Sequence, residues 1–325
     1  MNWKIKEGIK INKTDLPKIH PVILSILFKR GIDNREKIEN FFDVSYEKGL
    51  FDPFLFSDME KAVERIGKAK ENKELVAIFG DYDADGVTSS AIIKETLDNL
   101  GIESVVYIPD RKLEGYGMNF LAIEEFKKQN VKLIITVDCG ITNYEEVEKA
   151  NKYGIDIIIT DHHHVPNIIP KAFAIINPNQ KNSKYPFSSL AGVGVAFKLV
   201  QAIYQKFFPE KIQQLKWMID LVSIGTVADC VPLTSENRTI VKFGLIVLSK
   251  TKRPGLLELF QVAKLEINEN NVPNTHKISF QIAPRINAAG RMDHANTAFN
   301  LLRETDRPKA RDLALELEGN NQARQ

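Results

Sequence analysis

The sequence contains only two cysteines among its 325 residues, and it has no long apolar run. So few cysteines cannot form the disulfide framework of a small secreted protein, which favours a reducing compartment. The first residues lack the apolar core of a signal peptide, and no stretch approaches the roughly 18–20 apolar residues of a membrane span. Internal repeats and low-complexity tracts are also missing. We therefore expect a soluble, cytoplasmic protein with no membrane partner.

The sequence also has little net charge, since 44 basic and 42 acidic side chains leave +2. This balance excludes no class of partner, because a local basic groove can coexist with an acidic metal site. A hydrophobic share of 43% and a charged share of 26% are ordinary for a globular protein. The length predicts two domains or one large one.

Short apolar runs alternate with amphipathic helices in the first half of the chain. This pattern predicts an α/β fold with a parallel five-stranded sheet, helices on both faces, and a mainly helical segment after it. The predicted strands are 75–80, 104–108, 132–137, 155–160 and 172–176. The predicted divisions are a mixed N-terminal segment packing on the core (1–57), the α/β domain (58–190), the helical remainder of the core (191–307), and the start of a helix linking to a further C-terminal domain (308–325).

The first predicted strand ends in three alternating carboxylates, Asp81, Asp83 and Asp85. Anionic groups this close repel each other strongly unless cations lie among them. Two later strands also end in potential ligands, Asp138 and the run from Asp161 to His164. Because the carboxyl ends of parallel strands share one edge of a sheet, these groups are expected to converge there.

Oxygen and imidazole ligands without sulfur suit Mn²⁺ or Mg²⁺, and the histidine favours Mn²⁺. So many carboxylates exceed what one divalent ion needs, so we expect two ions about 4 Å apart, an arrangement that serves phosphate-ester hydrolysis. Simpler interpretations exist for each residue alone. A single aspartate after a strand is often a helix N-cap, as Asp85 would be, and Asp161 would merely orient a neighbouring ring.

Several motifs resemble those of the DHH phosphoesterase superfamily. They are Gly80–Gly86 (GDYDADG), Val137–Gly140 (VDCG) and Asp161–His163 (DHH). Further stretches resemble the RecJ family of bacterial exonucleases specific for single-stranded DNA, namely Pro109–Arg111, Glu114–Gly117, Leu190–Lys198, Ser223–Leu233 and Ala283–Met292.

The resemblance implies a set of metal ligands. One of them, Asp229, does not lie at the end of a predicted strand. Asp81 and Asp83 would hold one metal and Asp138 would bridge to a second, whose other ligands would be Asp85, His162 and Asp229. The division of roles between Asp81 and Asp83 stays open. His163 would face the scissile phosphate, as a hydrogen-bond donor or as an acid to the leaving 3′ oxygen. Asp81, Asp138 and His163 are thus the expected catalytic residues, and His164 is interpreted as incidental.

Substrate-binding residues are also implied. Arg111 would meet a phosphate near the 5′ end, and Arg285, Asn287 and Arg291 would contact phosphate or sugar. A salt bridge to the acidic cluster is the alternative for the two later arginines. Gly192 and Gly194 open a helix whose amide N–H groups would face a phosphate, although Gly-x-Gly alone is a weak signal. Tyr116 would either stack on a base or pack under its turn.

The implied activity is metal-dependent hydrolysis of single-stranded DNA from 5′ to 3′, releasing 5′-mononucleotides in repair and recombination. The implied partners are the DNA strand, a single-strand-binding protein and a helicase, and the protein would be a monomer. The chain ends within a helix, so a clamping C-terminal region is expected beyond it, and processive activity of this portion alone is doubtful. A DHH phosphodiesterase acting on short oligonucleotides or cyclic dinucleotides and a non-catalytic replication scaffold are the alternatives.

Overall fold

The computed structural model describes residues 19–292 and 295–325, which fall into two compact units divided after Leu50. The described part of the first unit contains helices α1 (Pro21–Lys29) and α2 (Arg35–Phe42). They pack around the buried residues Leu24, Leu27 and Ile38. Asn34 caps α2, because its side-chain oxygen accepts the N–H of Lys37 at 2.9 Å.

The second unit is built on the predicted five-stranded parallel sheet. Its strands pair in the order β2-β1-β3-β4-β5, and every pair is parallel. Their bounds are β1 Val76–Phe79, β2 Ser104–Tyr107, β3 Leu133–Val137, β4 Asp156–Thr160 and β5 Ala174–Ile176. The central strands β1 and β3 are buried throughout and, apart from Thr136, apolar, as expected of strands covered on both faces.

Helices cover both faces of this sheet. The second unit begins with a short 3₁₀ turn (Pro53–Leu55) and α3 (Met59–Glu71), and the helices between the strands are α4 (Ala84–Leu100), α5 (Phe120–Lys128) and α6 (Tyr144–Lys152). Alternate residues such as Ala77 and Phe79 pack against α5 and α6, so their neighbours in β1 face the other side. Helix α4 contacts β1 and β3 on that side.

The remainder of the chain is helical, as predicted. It comprises α7 (Gly192–Phe207), a 3₁₀ segment (Pro209–Trp217), α8 (Ile219–Ala228), α9 (Ser235–Leu248), α10 (Pro254–Val262), α11 (Thr275–Lys277), a π-helical segment (Ile278–Ile282), α12 (Ala283–Met292), α13 (Asn296–Arg303) and α14 (Arg307–Arg324). Helices α7, α8, α12 and α13 all contact α4, so the sheet and these helices form one compact unit. In the described residues no helix is long and apolar enough to cross a bilayer.

Local contacts explain where two helices start. Helix α4 begins at Ala84, because the Asp83 carboxylate accepts the N–H groups of Asp85 and Gly86 at 2.8 and 3.1 Å and caps the helix. Helix α8 begins at Ile219, because the preceding residues adopt a 3₁₀ conformation after Pro209. The early start of α4 places Asp83 and Asp85 at its N-terminus.

A buried polar network anchors the start of this unit to its helical part. The Lys198 ammonium and the Glu236 carboxylate are both fully buried and form an ion pair. Lys198 Nζ also donates to the carbonyl of Phe51 at 2.9 Å, and Glu236 accepts the Phe51 N–H at 2.7 Å. The Tyr185 hydroxyl donates to the same carboxylate. Glu236 therefore satisfies three buried donors at once.

Replacing Glu236 with alanine would leave these donors without their carboxylate. Removing one partner of a buried ion pair costs about 3–5 kcal/mol, so Glu236→Ala should lower the free energy of unfolding by that amount. Urea titration followed by circular dichroism measures the change. Glu60→Ala is the matched control, because Glu60 pairs with Lys206 between half-exposed side chains and such pairs contribute at most about 1 kcal/mol. Equal losses in the two variants would contradict the prediction.

Candidate metal centre

The acidic site lies at the centre of the sheet, where the strand order reverses. From β1 the chain passes outward to β2 and then returns to β3 on the other side of β1. Open parallel sheets bind ligands beyond the carboxyl ends of the strands at such a reversal. Asp81 follows β1 after Gly80, and Asp138 directly follows β3.

The remaining predicted ligands reach the same place from three other elements. Asp83 and Asp85 belong to the N-terminus of α4, and His162 follows β4. Asp229 caps the C-terminus of α8, which explains why strand ends alone do not predict it. Helix α8 packs against α4, and this contact brings Asp229 to the cluster.

Potential ligand atoms fall into three groups, and within each group they lie within 4.8 Å of one another. The first group comprises Asp81, Asp83 and Asp138, and the second comprises Asp85, His162 and Asp229. The third joins Asp138 to His162 and His163, so Asp138 has close neighbours on both sides. The first two groups contain the residues predicted for the two metal sites, and Asp138 lies close to members of both, while the ligand role of each residue stays a prediction.

The hydrogen-bond partners of the carboxylate oxygens show whether cations fit these groups. Asp81 Oδ1 and Asp138 Oδ1 are buried and accept no hydrogen bond, which is costly for a carboxylate that has no cation nearby. Asp138 Oδ1 lies 3.1 Å from His162 Nε2, without the geometry of a hydrogen bond. Two ligands that each bind one ion at about 2.1 Å are roughly 3 Å apart at a right angle. The donor set therefore fits divalent cations.

Burial and mutual repulsion perturb the pKa values of these groups. Desolvation, followed by the charge of Asp83, raises the pKa of Asp81 to about 7 and that of Asp229 to about 6. Desolvation and neighbouring carboxylates also raise the pKa of Asp85 and Asp138 well above the usual range. Desolvation, helped by the charge of His163, lowers the pKa of His162 to about 4, so its imidazole is neutral and free to ligate at pH 7.

The backbone of Asp138 has an uncommon conformation. Its φ of +61° is uncommon for a residue with a side chain. The side chain then packs directly against the first residue of α7, where a Cβ on Gly192 would lie 2.3 Å from Asp138 Oδ1. Gly192 is therefore needed for the close approach of α7 to Asp138.

The structure corrects the predicted partner of Gly192. Its N–H donates to Asp85 Oδ2 at 2.7 Å, and the Val193 N–H donates to Asp85 Oδ1 at 2.8 Å, so Asp85 occupies the N-terminus of α7. The Gly192 N–H is therefore engaged by a carboxylate of the protein, not by a phosphate. Gly194 is buried in the first turn of the same helix, and its contact with a phosphate stays a prediction.

His163 is held differently from His162. Its Nδ1 lies 2.7 Å from Asp161 Oδ1, and this hydrogen bond raises its pKa. Asp161 is fully buried and also accepts the N–H groups of His162, His163 and Ile141 at 2.7, 3.0 and 2.9 Å. Asp161 thus orients the ring, as the simpler interpretation proposed. His164 is exposed.

Two asparagines that were not predicted as site residues also hold the backbone of His162 and His163. Asn177 Nδ2 donates to the carbonyl of His163 at 3.0 Å, and Asn179 Nδ2 donates to the carbonyl of His162 at 2.6 Å. Both follow β5, the strand next to the one that precedes the histidines. The Asn-Pro-Asn run at the end of that strand was the available signal.

The predicted substrate-binding residues divide into two kinds. Arg111 and Arg291 are exposed, and both lie near Tyr82, whose ring centroid is 5.0 Å from the Arg111 guanidinium carbon. Arg285 instead pairs with Glu318 and donates to the Gln281 carbonyl at 2.6 Å. Arg285 thus forms an ion pair, but its partner Glu318 lies on α14 and not in the acidic cluster, where the alternative interpretation placed it.

Asn287 and Tyr116 have protein partners that the sequence did not predict. Asn287 Oδ1 accepts the Ala84 N–H at 2.6 Å and so occupies the N-terminus of α4. The Tyr116 hydroxyl donates to the Asp138 carbonyl at 3.1 Å and lies 3.0 Å from His163 Nδ1. Burial and nearby carboxylates raise the pKa of Tyr116, so this hydroxyl stays protonated.

The chain is also similar to proteins of a known family. A model described as "DHH family, N-terminal domain" matches residues 75–226. The chain is 41% identical over 328 residues to the single-stranded-DNA-specific exonuclease RecJ of Bacillus subtilis (strain 168), covering 100% of this chain and 40% of that protein. The chain thus spans less than half the length of this relative.

Solved structures show the same likeness. An exonuclease RecJ bound to manganese is 31% identical with a TM-score of 0.76, over 85% of this chain and 68% of that one. RecJ from Thermus thermophilus matches in complex with Mn²⁺ (28% identity, TM-score 0.74, 92% of this chain and 41% of that one). Its complex with Mg²⁺ also matches (26% identity, TM-score 0.62, 92% of this chain and 38% of that one).

The raised pKa of Asp81 predicts how the metal-free protein responds to pH. Its pKa is about 7 in the folded state and near 3.8 when unperturbed, so the folded state retains a proton that the unfolded state releases. This contribution to stability is complete below about pH 4 and is lost as the pH rises through 7. Asp81→Asn, which is always neutral, should therefore raise the free energy of unfolding by a few kcal/mol near pH 8 and change it little near pH 4.

Denaturant titrations in the presence of a chelator measure this difference at the two pH values. Asp98→Asn is the control, because Asp98 forms a partly exposed ion pair with Arg303 and its loss should not stabilise the protein at either pH. A gain for Asp81→Asn that is equal at both pH values would show that the gain does not come from ionisation.

Proposed function

This chain belongs to the RecJ family of DHH proteins, and we propose that it contains the catalytic centre of an exonuclease specific for single-stranded DNA. The reaction would be metal-dependent hydrolysis of phosphodiester bonds from 5′ to 3′, with release of 5′-mononucleotides. The observation that carries this proposal is the arrangement of five carboxylates and His162 into two ligand groups joined by Asp138. Such a double site is the one expected for phosphate-ester hydrolysis.

The two groups would bind Mn²⁺ or Mg²⁺. Asp81, Asp83 and Asp138 would hold one ion, and Asp85, His162 and Asp229 would hold the other with Asp138 shared. When bound, these ions would supply a water of lowered pKa and positive charge facing the phosphate. Asp83 Oδ1 already accepts two amide N–H groups, whereas Asp81 Oδ1 accepts none. Asp81 is therefore the ligand with more to gain from a cation.

His163 would act beside the ions as a donor to the substrate. Asp161 occupies its Nδ1 and leaves Nε2 as the atom available for a phosphate oxygen. The raised pKa of His163 favours the protonated ring, because Asp161 stabilises the charge. His163 would thus donate a hydrogen bond to the scissile phosphate or a proton to the leaving 3′ oxygen.

The exposed arginines would guide the strand. Arg111 and Arg291 both lie near Tyr82, which stands between Asp81 and Asp83 in the chain, so either guanidinium can receive a backbone phosphate. We assign Arg285 and Asn287 an indirect role, because they tie α12 to α14 and α4 and thereby hold Arg291 in place. In the cell we expect a cytoplasmic monomer that receives single strands from a helicase and a single-strand-binding protein.

Removal of Asp138 should abolish the activity. With Mn²⁺ the full-length protein should digest a 5′-phosphorylated single strand, and Asp138→Ala should slow digestion by more than about 100-fold, since even residues that only support a metal ligand contribute about 10–100-fold. Release of mononucleotides on a sequencing gel measures the rate. Asp98→Ala, an equivalent change near the far end of α4, is the control and should leave the rate unaltered. Undiminished digestion by Asp138→Ala would show that this carboxylate is not a bridging ligand.

Substrate choice separates this proposal from the other phosphodiesterases. At equal concentration, a long 5′-phosphorylated strand should be hydrolysed faster than a dinucleotide or pyrophosphate, because Arg111 and Arg291 offer contacts that only a chain of phosphates can use together. Initial rates with Mn²⁺ measure the preference. A faster rate with the dinucleotide or pyrophosphate would favour the short-substrate enzyme, and absence of calorimetric Mn²⁺ uptake would favour a scaffold.

A further inference from the structure

Tyr116 lies in a tightly held turn that faces the metal centre. The turn places glycines with positive φ, +82° and +84°, on both sides of it. Glu114 closes the turn, because its carboxylate accepts the Asp110 N–H at 2.7 Å and the Asn119 side-chain amide at 3.0 Å. A Cβ on Gly117 would lie 2.7 Å from Asn143 Oδ1, which itself accepts the N–H of Met118. The backbone of Tyr116 is therefore fixed by its neighbours.

The hydroxyl of Tyr116 joins two parts of the site that come from different strands. It lies 3.1 Å from the carbonyl oxygen of Asp138, which follows β3, and 3.0 Å from Nδ1 of His163, which follows β4. The two rings meet edge-on, with centroids 5.4 Å apart. The polar end of Tyr116 thus points into the site.

In each of these contacts, the atom that carries the hydrogen can be identified from the neighbouring donors and acceptors. Asp161 Oδ1 already accepts the backbone N–H groups of His162 and His163 at 2.7 and 3.0 Å, so it is placed as an acceptor. His163 Nδ1, which lies 2.7 Å from this carboxylate, must therefore carry a hydrogen. A protonated Nδ1 cannot accept from Tyr116, so the tyrosine hydrogen points to the Asp138 carbonyl, and the tyrosine oxygen shares the single Nδ1 hydrogen with Asp161 as the more distant of its two acceptors. Each polar atom of the set then faces a partner of the correct kind.

We propose that Tyr116 is a positioning residue, whose hydroxyl fixes the His163 ring relative to Asp138. The inference rests on the proposed function, and it replaces the two roles expected from the sequence, base stacking and packing under the turn. Without the hydroxyl, Nδ1 of the partly exposed His163 ring keeps its contact with Asp161 but loses its link to the Asp138 carbonyl, so the ring is fixed less tightly relative to Asp138. Its Nε2 would then spend less time where the scissile phosphate lies.

Tyr116→Phe separates this role from base stacking, because it removes the hydroxyl and keeps the ring. We expect kcat to fall about tenfold, as for one lost hydrogen bond, while KM for DNA and the Kd for Mn²⁺ each change by less than about twofold. Tyr116→Ala should lower kcat by a similar factor. If the ring stacks on a base instead, Tyr116→Phe would keep the parent kcat and KM, and Tyr116→Ala alone would raise KM.

A readout independent of activity distinguishes failure of this inference from failure of the proposed function. In the metal-free protein labelled with ¹⁵N-histidine, Tyr116→Phe should shift the Nδ1 resonance of His163, identified by its absence in His163→Gln, and leave that of His276 in place. An inactive parent protein in which this shift still occurs would overturn the exonuclease proposal alone. An active parent whose kcat and His163 resonance are both unchanged in Tyr116→Phe would overturn the positioning role alone.

The matched control is Tyr153→Phe. Tyr153 Oη donates to Glu124 Oε1 at 2.6 Å and so links α6 to α5, which makes its loss an equivalent deletion of a hydroxyl hydrogen bond. We expect parent values of kcat, KM and the His163 resonance in this variant. A tenfold loss of kcat in both variants would show a general effect of lost stability and would overturn the specific role of Tyr116. A large loss of Mn²⁺ affinity in Tyr116→Phe with no change at His163 would also overturn it.

Discussion

The structure depends on keeping several carboxylates close together in a mostly buried place. Asp81, Asp85 and Asp138 are each at most 5% exposed, and desolvation raises the pKa of all three. Like charges at such separations in a medium of low polarity repel strongly, so the folded chain requires compensation there. Helix N-termini, buried donors and, by our proposal, two cations provide it. Helices α4 and α7 contribute to this compensation, because their N-terminal N–H groups donate to Asp83 and Asp85.

Backbone N–H groups stabilise only some of these carboxylates. Asp83 accepts two N–H groups of α4, and Asp85 accepts two from α7. Both therefore interact with the positive end of a helix. Asp81 Oδ1 and Asp138 Oδ1 accept none. The sequence leaves open how Asp81 and Asp83 divide their roles, and by our proposal this difference makes Asp81 depend more on a cation than Asp83 does.

The fold and the strand-end ligands could be predicted from the sequence because both follow from local pattern. The alternation of strands and helices indicated the five-stranded sheet, and carboxyl ends of parallel strands brought Asp81, Asp138 and His162 together.

Asp229 required the family resemblance, since it ends a helix whose position depends on packing against α4. The partners of Gly192 and Asn287 lie 107 and 203 residues away, and no local pattern encodes contacts at that distance. The proposed role of Tyr116 could not be predicted, because the sequence shows that a tyrosine lies in a turn but not where its hydroxyl points.

The distribution of charge around the site has a consequence for the order of binding. The floor is acidic, whereas Arg111 and Arg291 lie exposed around Tyr82 at its edge, and the small net charge of +2 conceals this separation. Above about pH 7, where Asp81 loses its proton, a phosphate placed against the uncompensated floor would face negative charge and be repelled, although the arginines attract it. Compensation of the floor by cations removes that repulsion and leaves the attraction of the arginines. Above this pH, tight binding of the strand should therefore depend on occupied metal sites even though neither arginine belongs to the ligand groups, because the carboxylates that would hold the ions repel the substrate without them.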